Sequence, residues 1–485
     1  MKGVIALVLV FAFAGSATGG MRGMEEGKIP VTTKSPDALK EYLRGQELAD
    51  NLQAVKSLSH FDKAIALDPS FASAYLARSN NSFTTKEFLE NLKGAMDHRA
   101  EVSEGERLLI LAADAIANAN SPKQKEYLET AVKLYPNDER AHVALGNYFF
   151  AQQLYRQAIG EFEQAIHLSE NFAPAYNILG YAYRQIENYP KAEQTFKKYA
   201  ELVPNDANPY DSYAELLLKI GRFKESTANY AKALAIDPTF ASSQIGLVMN
   251  DEYQGDYEQA TRDLKHLMEI SKTPGEKRQA LFAEAVVNVD AGKMDLGLQA
   301  LDSEFAVGKR INDAGGMSGD LAAKANILME SGNYDAALRN FQASMELIEK
   351  GDFTAEFKKN ADIVSRYNLS RIAAARGDLA TAKSEADEYT KGIEVKKNPN
   401  QIQFSHELQG IIALAEKNNP KAVTELLQAN QQNAYNLYRL ALAYQGEGDM
   451  AHAKEYAKKA AEFYSIPSLN YAFIRNKAVA LTSSL

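Results

Sequence analysis

Small residues recur in this chain every 34 positions, and that period limits the possible folds more than any other feature of the sequence. Gly146 is followed at this interval by Gly180 and Ala214. Ala158 is followed by Ala192, Ser226 and Ala260, and Phe162 by Phe196, Tyr230 and Leu264. One step back stand Ala112, Leu128 and Ala131, with Pro136 closing that unit; Pro204 and Pro238 close later ones. Gly45, Phe61, Ala64 and Pro69 open the series. The period covers seven units from about residue 38 to 274, with one residue missing from the second. Self-similarity at a period of 20–50 residues marks a stacked-repeat architecture.

Each unit reads as two helices. Tyr176, Leu179 and Tyr183 are apolar at helical spacing in a first helix. A glycine turn follows at Gly221, Gly255, Gly332, Gly377 and Gly448, each with a small residue five positions on: Ser226, Ala260, Ala337, Ala382 and Ala453. Glycine suits the left-handed position that ends a helix, and an Asp or Asn after it suits the next cap. Asp256 and Gln259 have the spacing of a capping box. "SPKQ" at Ser121 starts a second helix with a cap residue and an early proline. Antiparallel helices cross closely only over small side chains, so Gly146 and Ala158 are the expected contact points. A single hairpin cannot bury its apolar face, whereas stacked neighbours share one core.

These residues resemble the tetratricopeptide repeat family, which places Gly or Ala at the eighth position of each unit. It places Ala at the twentieth and twenty-seventh, an aromatic at the twenty-fourth and Pro at the thirty-second. The match is strong over 38–71 and 105–274, weaker over 72–104, and degenerate from 277 to about 466. The early units, "SPDALKEYLRGQEL" through "VSEGERLLI", also look like helical-repeat segments attached to bacterial kinases and regulators. The expected fold is all-α, a right-handed α-solenoid of about twelve stacked helix-turn-helix hairpins. The expected organisation is a signal peptide at 1–19, a linker at 20–36, a regular array at 38–274, a degenerate array at 275–466, and a capping helix and tail at 467–485.

The N-terminal expectation rests on Lys2, the apolar run Val4 to Phe13 and the small residues of "AGSATGG". The run is short against the ~20 residues of a membrane span. With no cysteine in the chain, disulfides, thiolate metal sites and a Cys nucleophile are excluded. Together these point to an exported, periplasmic or secreted protein that folds without oxidation. A net charge of −9 argues against nucleic acid as a partner. The seven histidines are scattered, and no pair has the spacing of a zinc helix. "GGMSGD" at Gly315 lacks the Lys-Ser/Thr of a phosphate loop, and no G-x-S-x-G elbow occurs. No catalytic residue, metal ligand or cofactor is assigned.

The resemblance implies a concave groove lined by the first helices. Over the units beginning at 139, 173 and 207 the groove positions include Asn147, Phe150, Asn177, Tyr181, Arg184, Asp211, Glu215 and Leu218. Amides there can bond an extended backbone in both senses, and the aromatics supply apolar contact. A carboxylate clamp of the Hsp70/Hsp90 type is not expected, because its positions hold Val143, Asn147, Ile178, Asn208 and Ser212. The function expected is a non-enzymatic scaffold or adaptor that binds a protein or peptide in the cell envelope. The alternative is an envelope glycan-binding or glycan-processing α/α protein with paired carboxylates. The 34-residue period and the absence of Trp count against it.

Overall fold

The computed structural model describes residues 27–50, 53–394 and 398–485. The signal peptide expected at 1–19 and the first part of the linker lie outside the described residues. Among the described residues there are helices and no strands. Twelve hairpins follow one another among the described residues. The first six pair α1 (Pro36–Asp50) with α2 (Ala54–Leu67), α3 (Ala72–Asn80) with α4 (Thr85–Asp97), α5 (Glu104–Ala117) with α6 (Ser121–Leu134), α7 (Glu139–Ala151) with α8 (Tyr155–Leu168), α9 (Ala173–Gln185) with α10 (Tyr189–Leu202), and α11 (Asn208–Lys219) with α12 (Phe223–Ile236). The rest pair α13 (Ala241–Tyr253) with α14 (Tyr257–Ile270), α15 (Pro274–Asp290) with α16 (Met294–Arg310), α17 (Ala314–Glu330) with α18 (Tyr334–Lys350), α19 (Ala355–Arg376) with α20 (Leu379–Glu394), α21 (Pro399–Ala415) with α22 (Asn419–Leu426), and α23 (Ala434–Glu447) with α24 (Met450–Ala461). Two short helices, α25 (Leu469–Ala472) and α26 (Arg475–Ser484), end the chain. The hairpins form two compact units, one ending at Tyr213 and one running Ala214–Leu485.

The 34-residue grammar has a direct packing cause. At the sixth hairpin the crossing of eighth and twentieth positions is explicit: the Ser226 hydroxyl donates to the Ala214 carbonyl at 2.7 Å. The glycines do a second job that spacing alone did not show. A Cβ on Gly180 would stand 2.6 Å from the Phe196 ring, and one on Gly45 would stand 2.7 Å from Phe61. Gly146 meets Phe162 in the same way. The close neighbour of each glycine is therefore the aromatic sixteen positions on, whose ring occupies the place a Cβ would take. Phe61, Phe162 and Phe196 are fully buried, each worth roughly 1.5–3 kcal/mol of transfer free energy.

The hairpin turns end their first helices through left-handed residues. Arg222 N–H reaches back to the Leu217 carbonyl at 2.8 Å, and Asp256 N–H to Asp251 at 2.9 Å, the six-to-one bond of a Schellman ending. Asp256 then caps α14 by accepting from the Gln259 N–H. The Gln259 side chain turns to Asp263 instead of returning to the cap, so the box expected there is half formed. Complete capping boxes occur at Ser103/Glu106 and Thr273/Glu276. At α6 the cap is Asn120, one residue before the expected Ser121, because its side chain is the one that reaches the Lys123 N–H.

The first unit curls enough for its ends to meet. Tyr42 on α1 lies within electrostatic reach of Arg140 and Glu106, and the Gln53 amide donates to Asp206 at 3.3 Å. Consequently α7 is buried on nearly every face, from Glu139 through Phe149.

The second unit closes on itself through its C-terminus. Lys219 Nζ donates to the Phe463 carbonyl at 2.5 Å and lies over the Phe463 ring. Tyr253 packs on Tyr464 and Tyr471, and Tyr435 and Lys477 both engage Glu330.

Candidate functional site

The first unit carries the most continuous part of the expected groove, on α9 and its neighbours. Positions two, five, nine and twelve of a first helix fall on one stripe because side chains three or four apart share a helix face. Asn177 accepts a hydrogen bond from the Ser212 hydroxyl at 2.9 Å, and the Tyr181 hydroxyl donates to that same oxygen at 3.3 Å. Ser212 thus ties α9 to α11. The Tyr181 ring stands edge-on to Phe196 at 5.2 Å, and the Arg184 guanidinium lies 4.8 Å from the centre of the Tyr181 ring. Phe150 stands edge-on to Tyr155 at 5.4 Å. Burial pushes the Tyr155 hydroxyl up to about 12, against the pull of Arg184.

The eight groove residues divide by exposure. Phe150, Asn177, Tyr181 and Arg184 are half-buried, with surface left for a partner. Asn147, Asp211 and Glu215 are buried, and Leu218 is fully buried in the core of the second unit. Asn147 is enclosed because α7 is surrounded by its own unit, a consequence of curling that single-helix periodicity does not carry. Ser212 and Tyr155 are part of the cluster and were not among the eight. Ser212 stands at the sixth position of its unit, where helical spacing alone gives no reason to expect a link between two first helices.

A second cluster lies within the unit that begins at Ala214. Arg475 donates from Nε to Asp290 Oδ1 at 2.8 Å and from Nη2 to the Tyr257 hydroxyl at 2.8 Å, and it also meets Asp290 Oδ2. Glu252 is buried beside this pair. Burial and the Asp290 charge hold its carboxyl well above the ordinary range, against the pull of Arg475. A cavity of about 450 Å³ lies alongside, lined by Tyr257, Asp290, Lys293, Met294, Phe473 and Asn476 among others. Glu252 and Asp290 are the facing carboxylates that a glycan-processing reading would ask for. Their geometry is that of a buried ion pair holding α26 against α15: Asp290 gives both oxygens to Arg475, and its carbonyl accepts from Asn476 at 2.9 Å.

Comparison with known proteins agrees with the geometry. The family profile described as tetratricopeptide repeat matches residues 112–169 and 143–207, and a second profile of the same description matches 434–465. Residues 112–207 and 434–465 are thus tetratricopeptide repeats. It is 29% identical over 186 residues to the TPR repeat-containing protein YpiA of Bacillus subtilis, covering 38% of this chain and 43% of that protein. It is 30% identical over 98 residues to the human protein O-mannosyl-transferase TMTC2, covering 20% of this chain and 12% of that one. The chain thus spans less than half the length of these relatives. A solved tetratricopeptide repeat protein from Parabacteroides merdae matches 54% of this chain and 98% of its own, at 13% identity and a TM-score of 0.37. The matched repeats support a protein-interaction scaffold in general terms.

Proposed function

We propose that this protein is a non-enzymatic adaptor of the cell envelope that holds an extended segment of a partner protein against Asn177, Tyr181 and Arg184. The observation that carries the reading is the half-buried strip on α9, where an amide, a phenol and a guanidinium stand together on a rigid helix. Asn177 and Tyr181 offer hydrogen-bonding groups to a peptide backbone. The Arg184 guanidinium, held over the Tyr181 ring, offers a planar fork to an acidic side chain. Placement in the envelope rests on the apolar run after Lys2 and the small residues that follow it.

The test is a photo-crosslinking residue at Tyr181 in the full chain, expressed in its native cell. Crosslinks to one dominant protein are expected. They should be lost when a crosslinker at Phe150 is combined with Asn177→Ala and Arg184→Ala. Crosslinking that survives those substitutions unchanged would overturn the groove assignment. Cell fractionation with mass spectrometry of the mature N-terminus tests the location; a cytoplasmic chain that begins at Met1 would refute it.

A further inference from the structure

Residues 27–35 precede α1 without regular secondary structure, yet they are tied down along their length. Their partners come from the ends of successive hairpins in the first unit. The Ile29 N–H donates to Asp138 Oδ2 at 2.8 Å. The Thr32 N–H and hydroxyl donate to the two oxygens of Glu106 at 2.9 and 2.6 Å. The Thr33 hydroxyl and the Lys34 N–H both donate to Asp68, at 2.6 and 3.1 Å. Lys28 pairs with Glu139 at 3.2 Å, and Asn137 N–H donates to the Gly27 carbonyl at 3.3 Å. Ser103 donates from its N–H to the Thr32 hydroxyl and from its own hydroxyl to the Pro30 carbonyl.

The edge is shaped as well as charged. Gly105 lies against the Ile29 side chain and the Tyr135 ring: a Cβ there would stand 2.7 Å from Ile29 and 2.8 Å from Tyr135. The absence of that Cβ makes a socket for a β-branched residue. Asp68, Glu106, Asp138 and Glu139 are all buried, so the edge gathers four carboxylates. A carboxylate accepts and does not donate, so such a surface calls for N–H groups, hydroxyls and cations. The segment brings those, with two lysines and no acid. An extended segment also advances about 10 Å in three residues, close to the ~8–10 Å between packed helices. Ile29 and Thr32 accordingly reach successive hairpins.

We propose that this edge is a peptide-recognition site, distinct from the α9 groove, and that residues 27–35 are its ligand in cis. The partner it fits is an extended segment of another protein with the same pattern: a cation followed by a β-branched residue, then two adjacent hydroxyl residues three positions further on. Such a segment competes with the chain's own. The tethered copy acts at an effective concentration on the order of millimolar, so it must be weakened or displaced before a partner docks. Its residues are half-buried, with Pro30 and Lys34 exposed, which leaves a competitor a place to begin.

The experiment uses the full chain and a fluorescent peptide with the sequence of residues 27–36, read by anisotropy. The variant Thr32→Ala/Thr33→Ala weakens the tethered segment and leaves the edge intact. It is expected to bind the peptide at least tenfold tighter than the unaltered chain. Adding Gly105→Ala fills the socket between the Ile29 site and the Tyr135 ring and should reverse that gain at least tenfold. Lys28→Glu, which sets a carboxylate against Glu139, provides release by a second route. Hydrogen exchange at residues 29 and 32 reports the release itself. The proposal fails if these amides lose protection and the peptide still does not bind. It fails equally if the amides stay protected in both release variants, since recognition by hydroxyl and cation would then be absent.

Discussion

In every hairpin from the third to the twelfth, one residue of the turn has a left-handed backbone. Six of the ten are glycines, at 221, 255, 292, 332, 377 and 448; the others are Ala119, Gln153, Glu187 and Lys417. The turn demands the conformation, and the side chain merely tolerates or resists it. A non-glycine pays a steric cost between Cβ and the neighbouring carbonyl that glycine avoids, partly offset by glycine's greater freedom when unfolded. Lys417→Gly should therefore stabilise by about 0.5–1 kcal/mol, and Gly332→Ala should destabilise by about 1 kcal/mol, both read as shifts in the thermal midpoint. The glycine of the crossing behaves differently. Gly180→Ala meets the Phe196 ring and should destabilise by about 1–2 kcal/mol. In a Phe196→Ala background, itself costing about 3–5 kcal/mol, the ring is gone and only alanine's helix preference of about 1 kcal/mol remains. The sign of Gly180→Ala should then reverse. A double-mutant cycle that gave the same sign in both backgrounds would show that the ring is not what the glycine serves.

At the scale of the hairpin, a polar clamp recurs beside the apolar crossing. His142 meets Glu161 at 2.7 Å, His406 meets Glu425 at 2.8 Å, and Arg366 meets Glu385 at 3.2 Å. Each pair is nineteen residues apart and joins a first helix to a second. His142 also reaches the Pro136 carbonyl at 3.1 Å. Burial disfavours its imidazolium, but Glu161 and that carbonyl outweigh burial and raise its pKa above the ordinary value. A raised folded pKa means the contribution is fully present below the unfolded value of about 6.5. It is lost as the pH climbs through the folded value. The chain should thus lose more stability between pH 6 and 8 than a His142→Gln variant, with denaturant midpoints at each pH as the measurement. A variant with the same slope as the parent would place the pH dependence elsewhere. These clamps explain why the hairpins were legible and the histidines were not. Small and aromatic residues are forced by backbone approach, so they leave a period. A His facing a Glu is one solution among several for a position that Arg366 fills equally well. Asn177, Tyr181 and Arg184 share one face of α9 because they follow helical phase, and the resemblance is what pointed to that face. The enclosure of Asn147 was not legible, because curling sums small rotations over many hairpins. The ligation of residues 27–35 had no periodic trace either. Asp68, Glu106 and Asp138 could be read as turn and cap residues, and only three dimensions show their second partners.

At the scale of the chain, the C-terminus is what finishes the second unit. A solenoid end exposes an apolar face unless a cap covers it. Here residues 463–478 return to α13, α15 and α17 and join their core. The return is fixed by Arg475, whose desolvation is offset by two bonds to Asp290 and one to Tyr257. Breaking one side of a buried pair leaves the other charge uncompensated, at a cost of about 3–5 kcal/mol. Arg475→Leu should cost that much, and it should first release the amides of α25 and α26 in hydrogen exchange. Glu252 sharpens the test. Its carboxyl is held well above the ordinary range by burial and by Asp290, so its contribution is present while it is protonated and fades as the pH rises through that raised value. Without Arg475 the two carboxylates face each other with no cation, and the loss on raising the pH should be steeper. Restoring neutrality with Glu252→Gln and Asp290→Asn in the Arg475→Leu chain should then recover protection of α25 and α26 and flatten the pH profile. If the triple variant stays as open as Arg475→Leu alone, it is packing of the arginine stem that closes the unit, and the charges are incidental to it.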